Sequence, residues 1–185
     1  MPWTHRAFWL APLIIFGTLA TLVALVRNTK LRSIYQDRLP ESRRERLFLG
    51  SVGFFTAALT VRGITLAIHY NIGPFHDVSM GGRHIHHLVW GILLLLSSGY
   101  GWLLQVGTGT ESSPRWTGRL MSLTYGVAAA LTLDEFALWL NLRDVYWQRE
   151  GRESFEALAV FGGLLAVGLI GKPFFHGITR WKEYV

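Results

Sequence analysis

Hydrophobic residues in this chain fall in long, nearly unbroken runs, not in the two-residue alternation of a strand or the narrow stripe of a surface helix. Five runs, at roughly residues 8–26, 47–69, 84–104, 120–142 and 155–175, approach the ~20 residues that carry a helix across a hydrocarbon core about 30 Å thick. Backbone in lipid has no water to bond, so each crossing must satisfy its own peptide groups, and the pattern predicts an all-α fold. The expected architecture is one domain, residues 1–185: an integral membrane bundle of five transmembrane helices. The first run is longer than the apolar stretch of a signal peptide and basic residues follow it directly, so it reads as a retained helix.

Polar segments between the runs orient this bundle. Residues 27–46 carry seven Lys and Arg, residues 105–119 carry two and the tail from Lys172 three, whereas the alternate side holds five: Arg6, Arg83, Arg143, Arg149 and Arg152. The positive-inside rule therefore places the N-terminus outside and the C-terminus in the cytoplasm. The expectation is a multi-pass protein of the bacterial inner membrane, with "NIGPFHDVSMGGRHIHH" and "NLRDVYWQREGRESFEA" facing the periplasm or exterior. The linker "RNTKLRSIYQDRLPESRRERLF" reads as a short surface helix stopped at Pro40 and restarted with Ser42 as a cap.

Composition agrees. Hydrophobic residues make up 50% of the chain and charged residues 16%, with eight Trp, and the mean hydropathy is +0.29. A net charge of +6 would point to nucleic acid in a soluble protein. Here the basic residues sit in short loops beside anionic headgroups, so membrane lipid is the expected partner and nucleic acid is not. Most of the Trp fall near the predicted interfaces, where they anchor the helices. The absence of Cys excludes disulfides, thiolate metal sites and cysteine nucleophiles.

Candidate chemistry gathers at the outer helix ends. The stretch "FHDVSMGGRHIHHLV" holds His76, His84, His86 and His87, four of the seven His, together with Asp77. His84 and His87 are three apart, which puts both rings on one face if the third helix has begun by His84. His86 then points elsewhere, toward a second ion, an outer contact of the site or the loop. His76 and Asp77 come from a turn that Gly81 and Gly82 let fold back over the helix end. Imidazole and carboxylate ligands of this kind suit Zn, Fe or Mn. His5 and His176, isolated at opposite ends, read as interfacial side chains.

Polar residues also lie within the runs. Arg62 and Asp134 fall at nearly equal depth on helices running the same way, and Glu135 is one residue further out. A charge in a span costs about 2.5–3.5 kcal/mol on insertion scales, so Arg62 and Asp134 are natural ion-pair partners. Ser122, Gly126, Ala130 and Asp134 recur every four residues, a small-residue stripe that turns Asp134 toward protein. His84, His87, Gly91, Ser98 and Gly101 mark one face of the third span, and Arg62, Thr65 and His69 one face of the second. The outer loop adds Asp144, Glu150 and Glu153, whose alternation with Arg suggests a cap stitched by salt bridges; Glu153 and Glu156 open the last helix and can reach inward.

The segments "GGRHIHHLVWGILLLL" and "LTLDEFALWLNLRDVYWQREGRESFEA" resemble a family of small bacterial polytopic integral membrane proteins. The resemblance covers roughly residues 76–170 and implies no particular activity. The placing of His and Asp at helix ends is also similar to the seven-helix membrane hydrolases that include alkaline ceramidases, which arrange such residues around zinc. This chain departs from them in having five expected spans and no paired histidine on a late helix. Membrane fatty-acid desaturases cluster histidines too, but in several boxes that face the cytoplasm.

The leading expectation is a metal-dependent membrane enzyme, a hydrolase acting on a lipid or lipid-linked substrate at the outer face. His84, His87 and either His76 or His86, with Asp77 nearby, would hold Zn or Fe, which lowers the pKa of a bound water toward ~7. Asp134 or Glu135 would serve as ligand or general base, and Arg62 would orient the carboxylate or stabilise developing negative charge. A diiron or haem oxidoreductase is the alternative among enzymes. Outside enzymes it is a non-catalytic metal-binding, transport or assembly protein, although Ser97, Ser98 and Thr124 are too sparse to line a transport path. Homo-oligomer formation is left open.

Overall fold

In the computed structural model the described residues are Ser33 and residues 42–76, 79–80, 83–108 and 114–170. Helices make up nearly all of their regular structure: α1 (Ser42–His69), α2 (His87–Leu103), α3 (Arg115–Asp134), α4 (Phe136–Asn141), a 3-10 turn (Arg149–Gly151) and α5 (Arg152–Ile170). One pair of two-residue strands, β1 (Ser79–Met80) and β2 (Arg83–His84), interrupts the series between α1 and α2. The all-α expectation holds. By contact the described residues form two compact units, one of residues 62–85 and one of residues 42–61 with 86–170.

The expected spans meet these helices unevenly. Residues 47–69 lie inside α1, which has 28 residues and is roughly 42 Å long at 1.5 Å per residue. Among the described residues α1 is the one helix long and apolar enough to cross a membrane. Ser42, expected as a cap, is already the first residue of α1. The third expected span shortens to the 17 residues of α2, because Arg83 and His84 lie in a strand and His86 is extended. The fourth divides into α3 and α4 at Glu135, whose φ of −111° and ψ of 24° leave the helical region. The fifth is α5 as far as Ile170. The first span, most of the basic linker, His5, His176 and residues 171–175 lie outside the described residues.

In the first unit, α1 ends by its own backbone chemistry. Asn71 turns left-handed at φ 53°, so that Asn71 N–H donates to Ile68 at 3.0 Å and Ile72 N–H reaches back to Ala67 at 2.7 Å. This closure satisfies carbonyls that the helix leaves without partners. The chain then forms the antiparallel pair, Ser79 opposite His84 and Met80 opposite Arg83. His84 therefore sits in a strand, and the expected helical face shared by His84 and His87 does not form.

The second unit is held together by small residues. Ser122, Gly126, Ala130 and Asp134 are all buried on α3, as their spacing predicts. A Cβ on Gly126 would run into the Gly50 carbonyl and lie 2.8 Å from Phe54 N, so only glycine lets α1 and α3 approach this closely. Gly91 does the same for α2 against Thr132 on α3. Phe54, Ala129, Ala130 and Leu165 form the core between them. The large apolar side chains lie on the other faces: on α2, Trp90, Leu93, Leu96, Tyr100 and Leu103 are exposed while Leu88, Gly91 and Ser98 are buried.

Two sets of contacts fix how the helices run. At one end Gly107 packs on Gly118, Arg119 Nε donates to Glu45 at 2.8 Å and Arg46 donates to the Thr108 carbonyl at 3.4 Å. At the other, the start of α2 meets the end of α3. The start of α1 thus shares an end with the α2–α3 loop.

Candidate functional site

Antiparallel packing of α2 on α3 brings two adjacent histidines against two adjacent carboxylates. Asp134 is 0% exposed and Glu135 6%, whereas the side chains of His86 and His87 remain 24% and 21% exposed, so the imidazoles are the accessible face of a buried acidic pair. His86 Nδ1 lies 2.6 Å from Glu135 Oε1, and His87 Nδ1 lies 3.6 Å from the same oxygen. His87 Nε2 is 3.0 Å from Asp134 Oδ2, and the Tyr146 hydroxyl donates to that oxygen at 2.9 Å.

Local backbone explains the convergence. The first N–H groups of a helix have no partner within it and favour a negative charge. His86, at the N-cap of α2 with φ −69° and ψ 143°, provides no side-chain cap. Glu135 supplies it from the neighbouring helix, its Oε2 accepting from Leu88 N–H at 2.9 Å. Consecutive side chains on an unbroken helix diverge by about 100°. The break at Glu135 removes that restriction, and both carboxylates reach α2. The break is sustained from α5, where the buried Ser154 Oγ accepts from Ala137 N–H at 3.1 Å.

The loop after α4 folds over this centre. Leu142 turns left-handed, Asp144 Oδ1 accepts from Tyr146 N–H at 3.1 Å and Val145 is fully buried. Gly151 is required beside it, since a Cβ there would collide with the Tyr146 carbonyl. The expected salt-bridge stitching is represented by Arg143–Glu150 at 3.6 Å between exposed side chains, a contact of the kind worth ~1 kcal/mol or less. Glu153 bonds Asn141 Nδ2 at 2.7 Å, and Glu156 is exposed.

Of the residues singled out by sequence, His86, His87, Asp134 and Glu135 are brought together. His86, expected to point away, is the ring closest to Glu135. His84 and the exposed His76 fall in the first unit, as does Arg62, whose carbonyl accepts from Thr65 Oγ1 at 3.1 Å. Asp77 lies outside the described residues. Tyr146 was not anticipated: "RDVYWQ" gives no sign that its hydroxyl reaches a helix end twelve residues back. Among the described residues no group of three or more His, Asp or Glu stands ready-made to hold a metal ion. The chain matches no protein-family model, no curated protein and no solved structure.

Proposed function

We propose that this is a multi-pass protein of the bacterial inner membrane, built as a five-span bundle with its N-terminus outside. Its His86–His87–Glu135 centre takes a divalent metal ion, Zn or Fe, for hydrolytic chemistry on a lipid or lipid-linked substrate at the outer face. The membrane reading is supported by the distribution of side chains. Small and polar residues line the helix contacts while Leu, Trp and Tyr point outward, the arrangement favoured when the surrounding solvent is hydrocarbon.

The observation that carries the metal reading is the convergence of two ring nitrogens on one carboxylate oxygen. Tetrahedral ligands about 2.1 Å from an ion stand ~3.4 Å apart. His87 Nδ1 and Glu135 Oε1, at 3.6 Å, already have that spacing, and the 2.6 Å contact of His86 has to open by less than about 1 Å. Asp134 on Nε2 of His87 is then the outer carboxylate that orients a ligating imidazole. Charge fits as well. Two buried carboxylates are neutralised by one divalent ion with neutral imidazoles, and an unneutralised pair would be costly to bury. The ion would polarise water for attack, with Asp134 and Tyr146 holding His87 in place.

A second reading is favoured by a specific contact: Glu135 caps α2 through Leu88 N–H, which makes the centre a lock between helices with no catalysis. Elemental analysis of the purified protein separates the two. The metal reading expects close to one Zn or Fe per chain in wild type and its loss in His86→Ala, His87→Ala and Glu135→Gln, with His176→Ala unchanged. Wild-type protein that carries no metal and takes up none on addition of Zn or Fe leaves the lock as the account.

A further inference from the structure

Between the α3–α4 segment and α5 runs a groove of about 590 Å³. Its walls are apolar, formed by Leu133, Phe136, Leu140, Val160, Phe161 and Leu164. At the start of α5 it meets a second hollow of about 500 Å³, lined by Arg149, Glu150, Arg152, Glu153 and Glu156. Glu153 and Glu156 belong to both, so an open apolar groove adjoins a cluster that carries both signs of charge.

We infer that this is a binding site for a phospholipid whose headgroup carries a primary amine, such as phosphoethanolamine. The acyl chain fills the apolar groove, the ammonium meets the Glu156 and Glu153 carboxylates, and the phosphate meets Arg149 and Arg152. Charge complementarity selects this occupant. An anionic lipid would satisfy the arginines and leave its negative charge facing two glutamates, whereas a zwitterion matches both. The carboxylates also distinguish amines. A primary ammonium has three N–H groups to donate, while a quaternary ammonium has none and is held by aromatic faces; the charged hollow has no aromatic ring in its lining. Glu153 is partly engaged by Asn141 and Glu150 by Arg143. Among the described residues no side-chain bond occupies Glu156, Arg149 or Arg152, and these three are the charges free to turn to a headgroup.

The site rests on the membrane reading above and does not depend on the metal. The test titrates the full-length protein in detergent with dioleoyl phosphatidylethanolamine, phosphatidylcholine or phosphatidylglycerol, counting bound lipid by native mass spectrometry. The ethanolamine lipid is expected to bind roughly tenfold more tightly than the choline lipid, the worth of one charge-assisted hydrogen bond. Glu156→Gln should abolish the preference, whereas Arg152→Gln should weaken both lipids alike, with folding checked by circular dichroism. A series on wild type alone, with mono- and dimethylated ethanolamine lipids, should weaken stepwise as N–H groups are lost, and needs no variant. Equal affinity for ethanolamine and choline lipids, a preference that survives in Glu156→Gln, or tighter binding of the glycerol lipid would overturn the inference. A chain that stays monodisperse without detergent would overturn the membrane reading beneath it.

Discussion

The tightest quantitative test of the centre is the Asp134–Tyr146 pair. Asp134 Oδ2 takes the Tyr146 hydroxyl at 2.9 Å and faces His87 Nε2 at 3.0 Å in a position with no solvent exposure. Hydrogen bonds to a charged group contribute ~1.5–3 kcal/mol each, and a buried donor left without an acceptor costs ~1–3 kcal/mol. Asp134→Ala, which takes the acceptor from both partners at once, is therefore expected to destabilise the protein by ~3–6 kcal/mol, the loss of two such bonds. Tyr146→Phe removes one neutral donor to the carboxylate and is expected to cost ~1.5–3 kcal/mol. The double variant should lose less than the sum by ~1 kcal/mol or more, because Tyr146→Phe leaves no hydroxyl to be stranded when the carboxylate is gone. Asp134→Asn, which keeps one oxygen acceptor, should fall between wild type and Asp134→Ala. Reversible unfolding in mixed detergent micelles, followed by far-ultraviolet circular dichroism, measures each of these proteins. Losses that add within ~0.3–0.5 kcal/mol would refute the reasoning, since residues sharing one hydrogen bond cannot be independent.

Two further outcomes check the fold. Gly126→Leu must push apart α1 and α3 at Gly50 and Phe54, and should cost at least the ~1–3 kcal/mol of overpacking in the same unfolding assay. Gly163→Leu on α5, where nothing lies within 4 Å of a new Cβ, should be neutral or stabilising by up to ~1 kcal/mol through helix propensity; equal losses in both would mean that α1–α3 contact is not what Gly126 serves. For topology, reporter fusions should place Ser42 and the C-terminus in the cytoplasm and Ser79 and Glu150 outside, and a cytoplasmic Ser79 would reverse the assigned face of the centre.

Part of this was legible in the sequence because it depends on periodicity along one helix. The four-residue recurrence of Ser122, Gly126, Ala130 and Asp134 selects a single face, and that face is buried. His84 falls outside α2, which begins at His87, and the start was illegible because "GGRHIHH" offers no Ser, Thr, Asp or Asn to mark it. The break at Glu135 was illegible because "LTLDEFALWLN" contains neither Gly nor Pro; it depends on Ser154, whose hydroxyl holds Ala137 from seventeen residues on. The bonds that Asp134 makes to His87 and Tyr146 were illegible because they come from a facing helix and a loop.

On the metal reading proposed above, Glu135 would combine a structural and a chemical role in one side chain. Its two oxygens are divided: Oε2 holds Leu88 N–H at the start of α2, and Oε1 faces the rings of His86 and His87. If Oε1 turned from His86 toward an ion, Oε2 would still cap the helix, so metal uptake need not cost the capping energy of ~1 kcal/mol. Asp134 is divided differently, with both His87 and Tyr146 on Oδ2, so that moving this oxygen breaks two contacts together. If the centre takes an ion as proposed, the carboxylate suited to bind it without loosening the fold is therefore Glu135, and Asp134 is the one suited to hold His87 still.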